Sequence, residues 1–274
     1  MRILVTNDDG YDAAGLVAIA AALVAAGHEV TVAAPTSDRS GSGSALGSIE
    51  DGTLIGFDAL TLPALGPSVP VYALDCPPAL AVLASCSGSF GPAPELVVSG
   101  VNPGHNTGRS ILFSSTVGAV LAAQVAGIGG LAISCGFAPH HRFNTAARVG
   151  GELVDWMITA GATGLTLNVN VPDTDYAQLR GVQVTTLGRG SMFSLHTSRH
   201  EAAVELHRRE RHSGFRSGTD GAAVVNGYVS VTALSGIAGV AEPLLAPDAD
   251  EPISQFLSPP NPRIRRPRPV PVEW

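Results

Sequence analysis

The chain has 274 residues, a formal net charge of −7 and 45% hydrophobic residues. This length suits one large α/β domain, with or without an appendage, and is enough to bury a substantial core. The acidic balance excludes a basic surface that binds a nucleic-acid polymer, and the absence of lysine excludes a Schiff-base or Walker-type lysine.

The cysteines and the apolar segments indicate neither a disulfide framework nor a membrane anchor. Cys76, Cys86 and Cys135 have neither metal-ligand spacing nor an even count, so we expect buried free thiols. No signal peptide precedes the first predicted strand, and no apolar run reaches transmembrane length. We therefore expect a cytoplasmic protein that does not contact a membrane.

The hydrophobic pattern predicts alternating strands and helices. The first unit is a strand at 2–6, a helix at 14–26 closed by Gly27, and a strand at 29–34 stopped by Pro35. Such a βαβ unit is typical of a parallel sheet. Later strands are predicted at 69–74, 95–99, 131–134, 165–171, 181–187 and 226–233, and later helices at 77–85, about 115–126 and 144–160. The pattern predicts an α/β fold with a Rossmann-like, three-layer core and a mostly parallel sheet.

The C-terminal part of the chain departs from this alternation. Residues 199–216 are charged and rich in histidine and arginine, which favours an exposed β-hairpin or arm within about 190–234. From about Pro247 the chain is dense in proline and carries Arg263, Arg265, Arg266 and Arg268, a composition that excludes a regular helix. We therefore predict one domain over 1–246, which includes the hairpin, and an extended Pro/Arg-rich tail over 247–274.

The first predicted strand ends in two adjacent carboxylates. Asp8 and Asp9 follow an apolar run and precede a helix, at the edge where open α/β sheets bind their ligands. Neighbouring carboxylates repel each other unless a cation lies between them or one is protonated. A hard divalent cation is the simplest resolution, although the Asp-Asp-Gly motif alone is equally compatible with a turn and a helix cap.

Three further polar segments lie after predicted strands or at the start of a predicted helix, at 39–44, 99–106 and 113–118. Their glycines allow the backbone to approach an anion closely, and N–H groups at a helix start bind anions. The hydroxyl groups at the start of the helix suit a phosphate contact and suit an N-cap equally well.

Seven segments of the chain, taken in order, match the pattern of a known family. They are NDDG at 7–10, RSGSGSA at 39–45, VVSGVNPGHN at 97–106, FSSTVGA at 113–119, LNVNVP at 167–172, VTTLGR at 184–189 and GTDGAAVVNGYVSVTAL at 218–234. In this order and spacing, they resemble the SurE family of survival-protein nucleotidases. The resemblance covers residues 1 to about 234. It implies a metal-dependent phosphatase for nucleoside 5′- and 3′-monophosphates, built as a homodimer or homotetramer that exchanges a C-terminal arm.

The resemblance also implies a role for each matching residue. The metal ligands are expected to be Asp8, Asp9, Ser40 and Asn102, with the two aspartates as the catalytic groups. Contacts to the substrate and its phosphate are expected from Asn7, Gly41, Ser42, Gly104, Asn106, Ser114, Ser115 and Thr116. One divalent cation per subunit is expected, as Mg²⁺, Mn²⁺ or Ca²⁺.

The chemistry of the four expected ligands supports the metal site independently. Two carboxylates, a hydroxyl and an amide carbonyl are hard oxygen donors, which suit Mg²⁺, Mn²⁺ or Ca²⁺ and leave about two octahedral positions for water and phosphate. A cation at such a site polarises a phosphoryl oxygen and lowers the pKa of a bound water, which then hydrolyses the monoester. The sequence does not choose which aspartate accepts the proton of that water.

The chain departs from the family pattern next to the expected phosphate site. Ser115 stands where the family usually has glycine, which predicts either a narrower site or an added hydroxyl ligand. Gly47 and the segment 75–79 also differ from the pattern. These changes leave open a phosphatase that acts on another small phosphate monoester, such as a metabolic or natural-product intermediate.

Other protein classes fit the sequence less well. A non-catalytic nucleotide-binding module is the alternative outside the enzymes. Residues 25–35 look like the opening of a nucleotide-sugar glycosyltransferase, but 274 residues leave no room for its second Rossmann domain. A dinucleotide-dependent oxidoreductase would need a GxGxxG segment after the first strand, and a response-regulator phospho-acceptor would need a lysine.

Overall fold

Apolar strands with both faces covered by helices form the centre of the fold. The structure is a computed structural model that describes residues 1–137 and 140–236. Met1–Gly236 form one compact unit. The predicted tail at 247–274 and the last ten residues of the predicted domain lie outside the described residues. Within the described part of the chain, no helix is long and apolar enough to cross a membrane.

The main sheet contains nine strands. In chain order they are β1 (Arg2–Thr6), β2 (Glu29–Pro35), β3 (Phe57–Leu60), β4 (Val71–Leu74), β5 (Leu96–Pro103), β6 (Gly130–Cys135), β7 (Thr166–Asn170), β8 (Val182–Val184) and β11 (Val229–Leu234). Their spatial order is β3-β4-β2-β1-β5-β6-β7-β11-β8. The six strands from β4 to β7 pair in parallel, while β3 and β11 pair antiparallel with their inner neighbours. The carboxyl ends of the parallel strands therefore share one edge.

Helices cover both faces of this sheet. They are α1 (Ala14–Ala25), α2 (Pro78–Cys86), α3 (Ser115–Val125), α4 (Phe143–Thr159) and the short α5 (Asp220–Val225). Helices α1 and α4 pack together on one face, around Leu16, Ile19 and Met157. Helices α2 and α3 pack together on the other, around Val82 and Val120. Because both faces are covered, β1 has apolar side chains pointing to both sides, as parallel strands usually do.

A two-stranded antiparallel hairpin extends from the domain. It consists of β9 (Phe193–Arg199) and β10 (Val204–Glu210), with Leu195 opposite Arg208 and Phe193 opposite Glu210. The predicted hairpin is confirmed, although it begins at 193, six residues before the charged segment that predicted it. The hairpin pairs with no strand of the main sheet among the described residues.

The predicted fold class is confirmed, with differences at the weakly patterned elements. Strand β3 was not predicted, because all four of its residues are exposed and it has no apolar alternation. Helix α5 has only six residues, too few for a helical period to show. The predicted strand at 181–187 is shorter, as β8. The three cysteines are free, as expected; Cys76 and Cys135 are buried, but Cys86 is only partly buried, unlike the prediction.

Candidate functional site

A cavity of about 210 Å³ lies at the carboxyl edge of the sheet, where β1 and β5 end side by side. The four expected metal ligands all line it. The complete lining consists of Asp8, Asp9, Ser40, Gly41, Asn102, Pro103, Gly104, His105, Asn106, Ser110, Phe113, Ser114, Phe137, Phe193 and Arg208. Ligands of open α/β sheets bind at this edge. The topology of the sheet therefore brings together the loops that carry Asp8 and Asp9, Ser40, and Asn102.

Thr116 joins two of the expected ligands. Its hydroxyl group lies 2.7 Å from Asp8 Oδ1 and 3.1 Å from Asn102 Oδ1. The Asn102 amide nitrogen donates to the carbonyl of Gly104 at 2.6 Å, which turns the Asn102 oxygen towards Thr116 and Asp8. The two ligand oxygens are therefore held beside one hydroxyl group, each in a defined orientation.

The two carboxylates are held in an environment that disfavours two negative charges. Burial raises the pKa of Asp8, and the hydrogen bond from Thr116 only partly offsets this. Burial, followed by the neighbouring Asp8 and by Asp38, raises the pKa of Asp9 to about 7. A cation would reverse this effect, because it stabilises the charged form of both groups.

The donor set at the cavity fits a hard divalent cation. Asp8 and Asp9 carry carboxylates, Ser40 a hydroxyl group and Asn102 an amide oxygen, and all four residues line one cavity. Across the residues that the structure describes, no three His, Cys, Asp or Glu side chains come together as a metal site. Oxygen donors of mixed type therefore remain, and these are the ligands that Mg²⁺ and Mn²⁺ prefer.

The serine–glycine loop, residues 36–49, is attached to the start of α3. The Ser115 hydroxyl group donates to the carbonyl of Arg39 at 3.0 Å and lies 2.9 Å from the Ser42 hydroxyl. Gly118 permits the close approach, because a Cβ there would lie 2.3 Å from the carbonyl oxygen of Gly43. These contacts place the loop, and Ser40 within it, beside the aspartates.

The asparagine loop, residues 102–107, follows β5 and is held by side chains of β7, two strands away in the sheet. The backbone N–H of Asn106 donates to Asn170 Oδ1 at 2.8 Å. The amide groups of Asn168 and Asn170 both donate to the backbone carbonyl of Asn106, at 2.9 and 2.8 Å. The Asn106 side chain donates to Ser134 at 2.9 Å. Asn168 and Asn170, the two asparagines of LNVNVP, thus position this loop from behind the cavity.

Asp220 connects the end of the asparagine loop to two other segments. Its fully buried carboxylate accepts backbone hydrogen bonds from Gly108 at 2.6 Å, Gly188 at 3.0 Å and Gly221 at 2.8 Å. Gly108 and Gly188 lie 112 and 32 positions from Asp220 in the chain. Asp220 therefore fixes the backbone just after the asparagine loop, while neither Asp220 nor the three glycines line the cavity.

His105 lines the cavity but is neutral at neutral pH. It is 5% exposed, and its Nε2 lies 2.9 Å from the carbonyl of Val171. Burial lowers the pKa of His105 to about 4. A neutral imidazole at this place does not supply a proton at pH 7.

Comparisons with known proteins identify the family. The sequence model described as "Survival protein SurE" matches residues 3–194. The chain belongs to the SurE family. It is 36% identical over 241 residues to the 5′-nucleotidase SurE of Stenotrophomonas maltophilia, an alignment that covers 85% of this chain and 88% of that protein. It is 38% identical over 191 residues to the 5′-nucleotidase SurE of Xanthomonas campestris, covering 69% of this chain and 70% of the relative.

A solved structure of the SurE family has the same fold. The crystal structure of the SurE protein from Aquifex aeolicus superposes with a TM-score of 0.72 at 29% identity, over 85% of this chain and 93% of that one. The predicted family and fold are thereby confirmed. The predicted enzyme class, a hydrolase of phosphoric monoesters, is confirmed at the level of the family.

The structure separates the residues predicted from the SurE pattern into two groups. Asp8, Asp9, Ser40, Gly41, Asn102, Gly104, Asn106 and Ser114 line the cavity, and Asn7, Ser42, Ser115 and Thr116 do not. Asn7 is buried, and its side-chain oxygen accepts the N–H of Gly10 at 3.3 Å. Ser114 is the N-cap of α3, accepting the N–H of Val117. Direct contacts of these residues to a ligand stay predictions.

The position of Ser115 explains how this chain departs from the SurE pattern. Its hydroxyl group neither narrows the cavity nor faces it, because it bonds the serine–glycine loop instead. The structure therefore shows neither the narrower site nor the added hydroxyl ligand that the sequence predicted at Ser115. A serine at this place stabilises the loop that carries Ser40.

Part of the cavity wall escaped the sequence reasoning. Phe113, Phe137, Phe193 and Arg208 line it, and none of these four residues was itself assigned a contact. Phe113 lies in the FSSTVGA segment, so its position next to the residues with expected phosphate contacts indicated that it could reach the cavity. Arg208 and Phe193 are in the hairpin, and no sequence signal indicates that the hairpin reaches the cavity.

Proposed function

We propose that this chain hydrolyses nucleoside 5′-monophosphates, and 3′-monophosphates as well, with one divalent cation per subunit. The observation that carries the proposal is the convergence of Asp8, Asp9, Ser40 and Asn102 on one cavity at the carboxyl edge of the sheet. The SurE relatives named 5′-nucleotidases support the substrate class. Mg²⁺ and Mn²⁺ are the proposed cations, because all four donors are hard oxygens.

The four expected ligands, Thr116 and the start of α3 have different parts in the proposed reaction. Asp8, Asp9, Ser40 and Asn102 would hold the cation, with Thr116 orienting two of them. When bound, the cation supplies Lewis-acid polarisation of the phosphoryl group and lowers the pKa of an attacking water. The N-terminal end of α3, which begins at Ser115 with Ser114 as its cap, directs N–H groups at the phosphate.

Asp9 is our candidate for the proton acceptor. The Asp8 carboxylate accepts a hydrogen bond from the Thr116 hydroxyl group, whereas the Asp9 carboxylate accepts none from another side chain among the described residues. Asp9 is also the more exposed of the two carboxylates, so it can meet a water molecule. A carboxylate with free lone pairs at the cavity takes a proton more readily than one already hydrogen-bonded.

Aromatic side chains at the rim support a substrate with a flat ring. Phe113, Phe137 and Phe193 all line the cavity, and Phe113 is 64% exposed. A nucleobase can stack on such rings while the phosphate lies deeper, next to the aspartates. The cavity of about 210 Å³ is small for a whole nucleotide, which favours a second candidate, a smaller phosphate monoester without a base.

Phosphate release tests both candidates. Wild type, Asp8→Asn and the exposed control Asp12→Asn would be assayed on 5′-nucleotides, 3′-nucleotides and ribose 5-phosphate, with Mg²⁺, Mn²⁺ or EDTA. We expect metal-dependent turnover that Asp8→Asn abolishes and Asp12→Asn keeps. Preference for ribose 5-phosphate over every nucleotide would select the second candidate. Nucleotide binding without any turnover would select a non-catalytic module.

We also propose that the chain forms a homodimer or homotetramer through the hairpin. Leu195, Val204 and Leu206 are 58%, 61% and 63% exposed, so the hairpin leaves apolar side chains in water. The arm exchange implied by the family resemblance would cover them. Light scattering after size-exclusion chromatography measures the mass, and Leu206→Ser is expected to lower it, while Ser198→Ala on the same hairpin is the control.

A further inference from the structure

The guanidinium group of Arg208 lies at the cavity between two aromatic rings. Its Cζ is 4.3 Å from the ring centroid of Phe137 and 5.0 Å from that of Phe193, within the range of cation–π contacts. Gly104 leaves space for this arrangement, because a Cβ there would lie 2.7 Å from the Phe137 ring and 3.5 Å from an Arg208 nitrogen. Arg208 therefore lies against the loop that carries Asn102.

The pairing of the hairpin determines which side chains face the cavity. Arg208 is opposite Leu195, and its diagonal neighbour Phe193 lies on the same face of the two strands. Arg209, the next residue, is opposite Ser194 and projects from the other face. One face of the hairpin thus supplies the cavity with a cation and an aromatic ring, and the adjacent arginine provides a natural control.

Arg208 has no anionic partner within the described residues. Arg39, Arg142 and Arg148 each form an ion pair with a carboxylate. Arg208 forms neither an ion pair nor a hydrogen bond within the described chain, so its N–H donors face the solvent of the cavity. Among the residues that line the cavity, it is the only one with a permanent positive charge.

We propose that Arg208 binds the phosphate group of the substrate, opposite Asp8 and Asp9. This inference rests on the proposed phosphatase function and assigns the hairpin to the active site. The planar guanidinium group donates two parallel hydrogen bonds to phosphate oxygens. Phe137 and Phe193 cover its faces and leave the N–H edge open to the ligand. A dianionic monoester in the cavity would thus meet the expected cation ligands and the guanidinium group of Arg208.

Steady-state kinetics on the full chain with Mn²⁺ test this role. Arg208→Gln is expected to lower kcat/KM for 5′-AMP and for p-nitrophenyl phosphate by about 10- to 100-fold, as expected for a lost charge-assisted hydrogen bond. Arg208→Lys keeps the positive charge but not the two parallel N–H donors of the guanidinium group, so its decrease in kcat/KM is expected to be smaller than that of Arg208→Gln. Arg209→Gln is expected to stay within about twofold of wild type, since changes away from such contacts are usually near neutral. An Arg208→Gln protein as active as Arg209→Gln would overturn the proposal.

Calorimetric titration with inorganic phosphate separates this proposal from the proposed function. In the presence of Mn²⁺, phosphate affinity of Arg208→Gln is expected to fall by the same factor as kcat/KM, while Mn²⁺ affinity is unchanged. Loss of phosphate binding in Arg208→Gln alone supports the role of Arg208, even if wild type hydrolyses no nucleotide. Equal phosphate affinity in both arginine variants, or a parallel loss of Mn²⁺ affinity, would contradict it.

Chemical rescue excludes a purely structural explanation. In Arg208→Ala the space of the guanidinium group is empty, and added methylguanidinium is expected to restore part of the activity towards p-nitrophenyl phosphate. The thermal unfolding midpoint is expected to stay close to that of wild type, because Arg208 is exposed. A folded Arg208→Ala protein that has lost activity and is not rescued would count against a direct contact.

Discussion

Asp220 gives the sharpest test of how the segments next to the cavity are held together. Its buried carboxylate accepts N–H groups from Gly108, Gly188 and Gly221, and all three glycines are themselves buried. Replacement by alanine leaves two long-range donors, those of Gly108 and Gly188, without a partner. An unsatisfied buried donor costs about 1–3 kcal/mol, and more where the lost partner is charged. We therefore expect Asp220→Ala to lower the free energy of unfolding by about 3–6 kcal/mol, from the two orphaned donors together.

The conservative variant Asp220→Asn separates charge from shape. The asparagine amide keeps one acceptor oxygen but points N–H groups at one of the glycine donors. The expected loss is about half that of the alanine variant, roughly 1.5–3 kcal/mol. Asp51→Ala, at an exposed turn, removes a carboxylate without a hydrogen bond to a described residue and is expected to change stability by less than about 0.5 kcal/mol.

Urea unfolding followed by circular dichroism measures these differences. Native-state hydrogen exchange adds a local measurement, because the amides of Gly108 and Gly188 are expected to lose protection in Asp220→Asn before the rest of the sheet does. The reasoning would be refuted if Asp220→Ala lost less than about 1 kcal/mol, below the usual penalty for a single buried donor.

Three more outcomes follow from the site. Because the pKa of Asp9 is raised from 3.8 to about 7, the folded state binds the proton of this carboxyl group more tightly than the unfolded state does. In EDTA, the contribution of this group to the free energy of unfolding is fully present below about pH 4, and up to about 4 kcal/mol is lost as the pH rises through 7. Urea titrations from pH 4 to 8 measure this slope, which Mn²⁺ should abolish and Asp9→Asn should flatten. Ser115→Gly removes two hydrogen bonds to the serine–glycine loop and is expected to lower stability by about 1–3 kcal/mol, against Ser115→Ala as the control for backbone freedom; kcat/KM should fall less than tenfold, and a larger fall would mean that its hydroxyl contacts the substrate. Thr116→Val is expected to weaken Mn²⁺ binding by about 10-fold, as loss of an outer-shell partner usually does, while Thr116→Ser keeps the affinity; equal titration curves for both variants would exclude an orienting role.

The central part of the fold was predictable because its signals are local. Runs such as Ile3–Val5 followed by glycine and polar residues predict buried strands and their ends. A parallel sheet then collects the carboxyl ends of its strands at one edge. Asp8, Asp9 and Asn102 are therefore predicted to lie near one another from the strand pattern. The elements that it missed, β3 and α5, have too little periodicity to be read.

The distribution of roles within the site depends on contacts between distant parts of the chain. Thr116 and Asp8 are 108 residues apart, and Gly108 and Asp220 are 112 apart. Residue type and spacing identify hydroxyl and carboxylate groups near a phosphate loop, but they do not say which ones face the cavity and which ones support it. A side chain's direction is set by the packing of its element against others.

Residue pattern alone was sufficient for the family, the parallel sheet and the oxygen-rich edge, because hydrophobic periodicity and short motifs are properties of neighbouring residues. Three-dimensional packing was needed to turn Ser115 and Thr116 into supporting residues and to bring Arg208 to the cavity. The hairpin carries Phe193, Leu195 and Arg208 on one face, but nothing in its sequence indicates that this face reaches the cavity. Contacts of Arg208 with Phe137 and with the loop at Gly104 bring that face to the cavity.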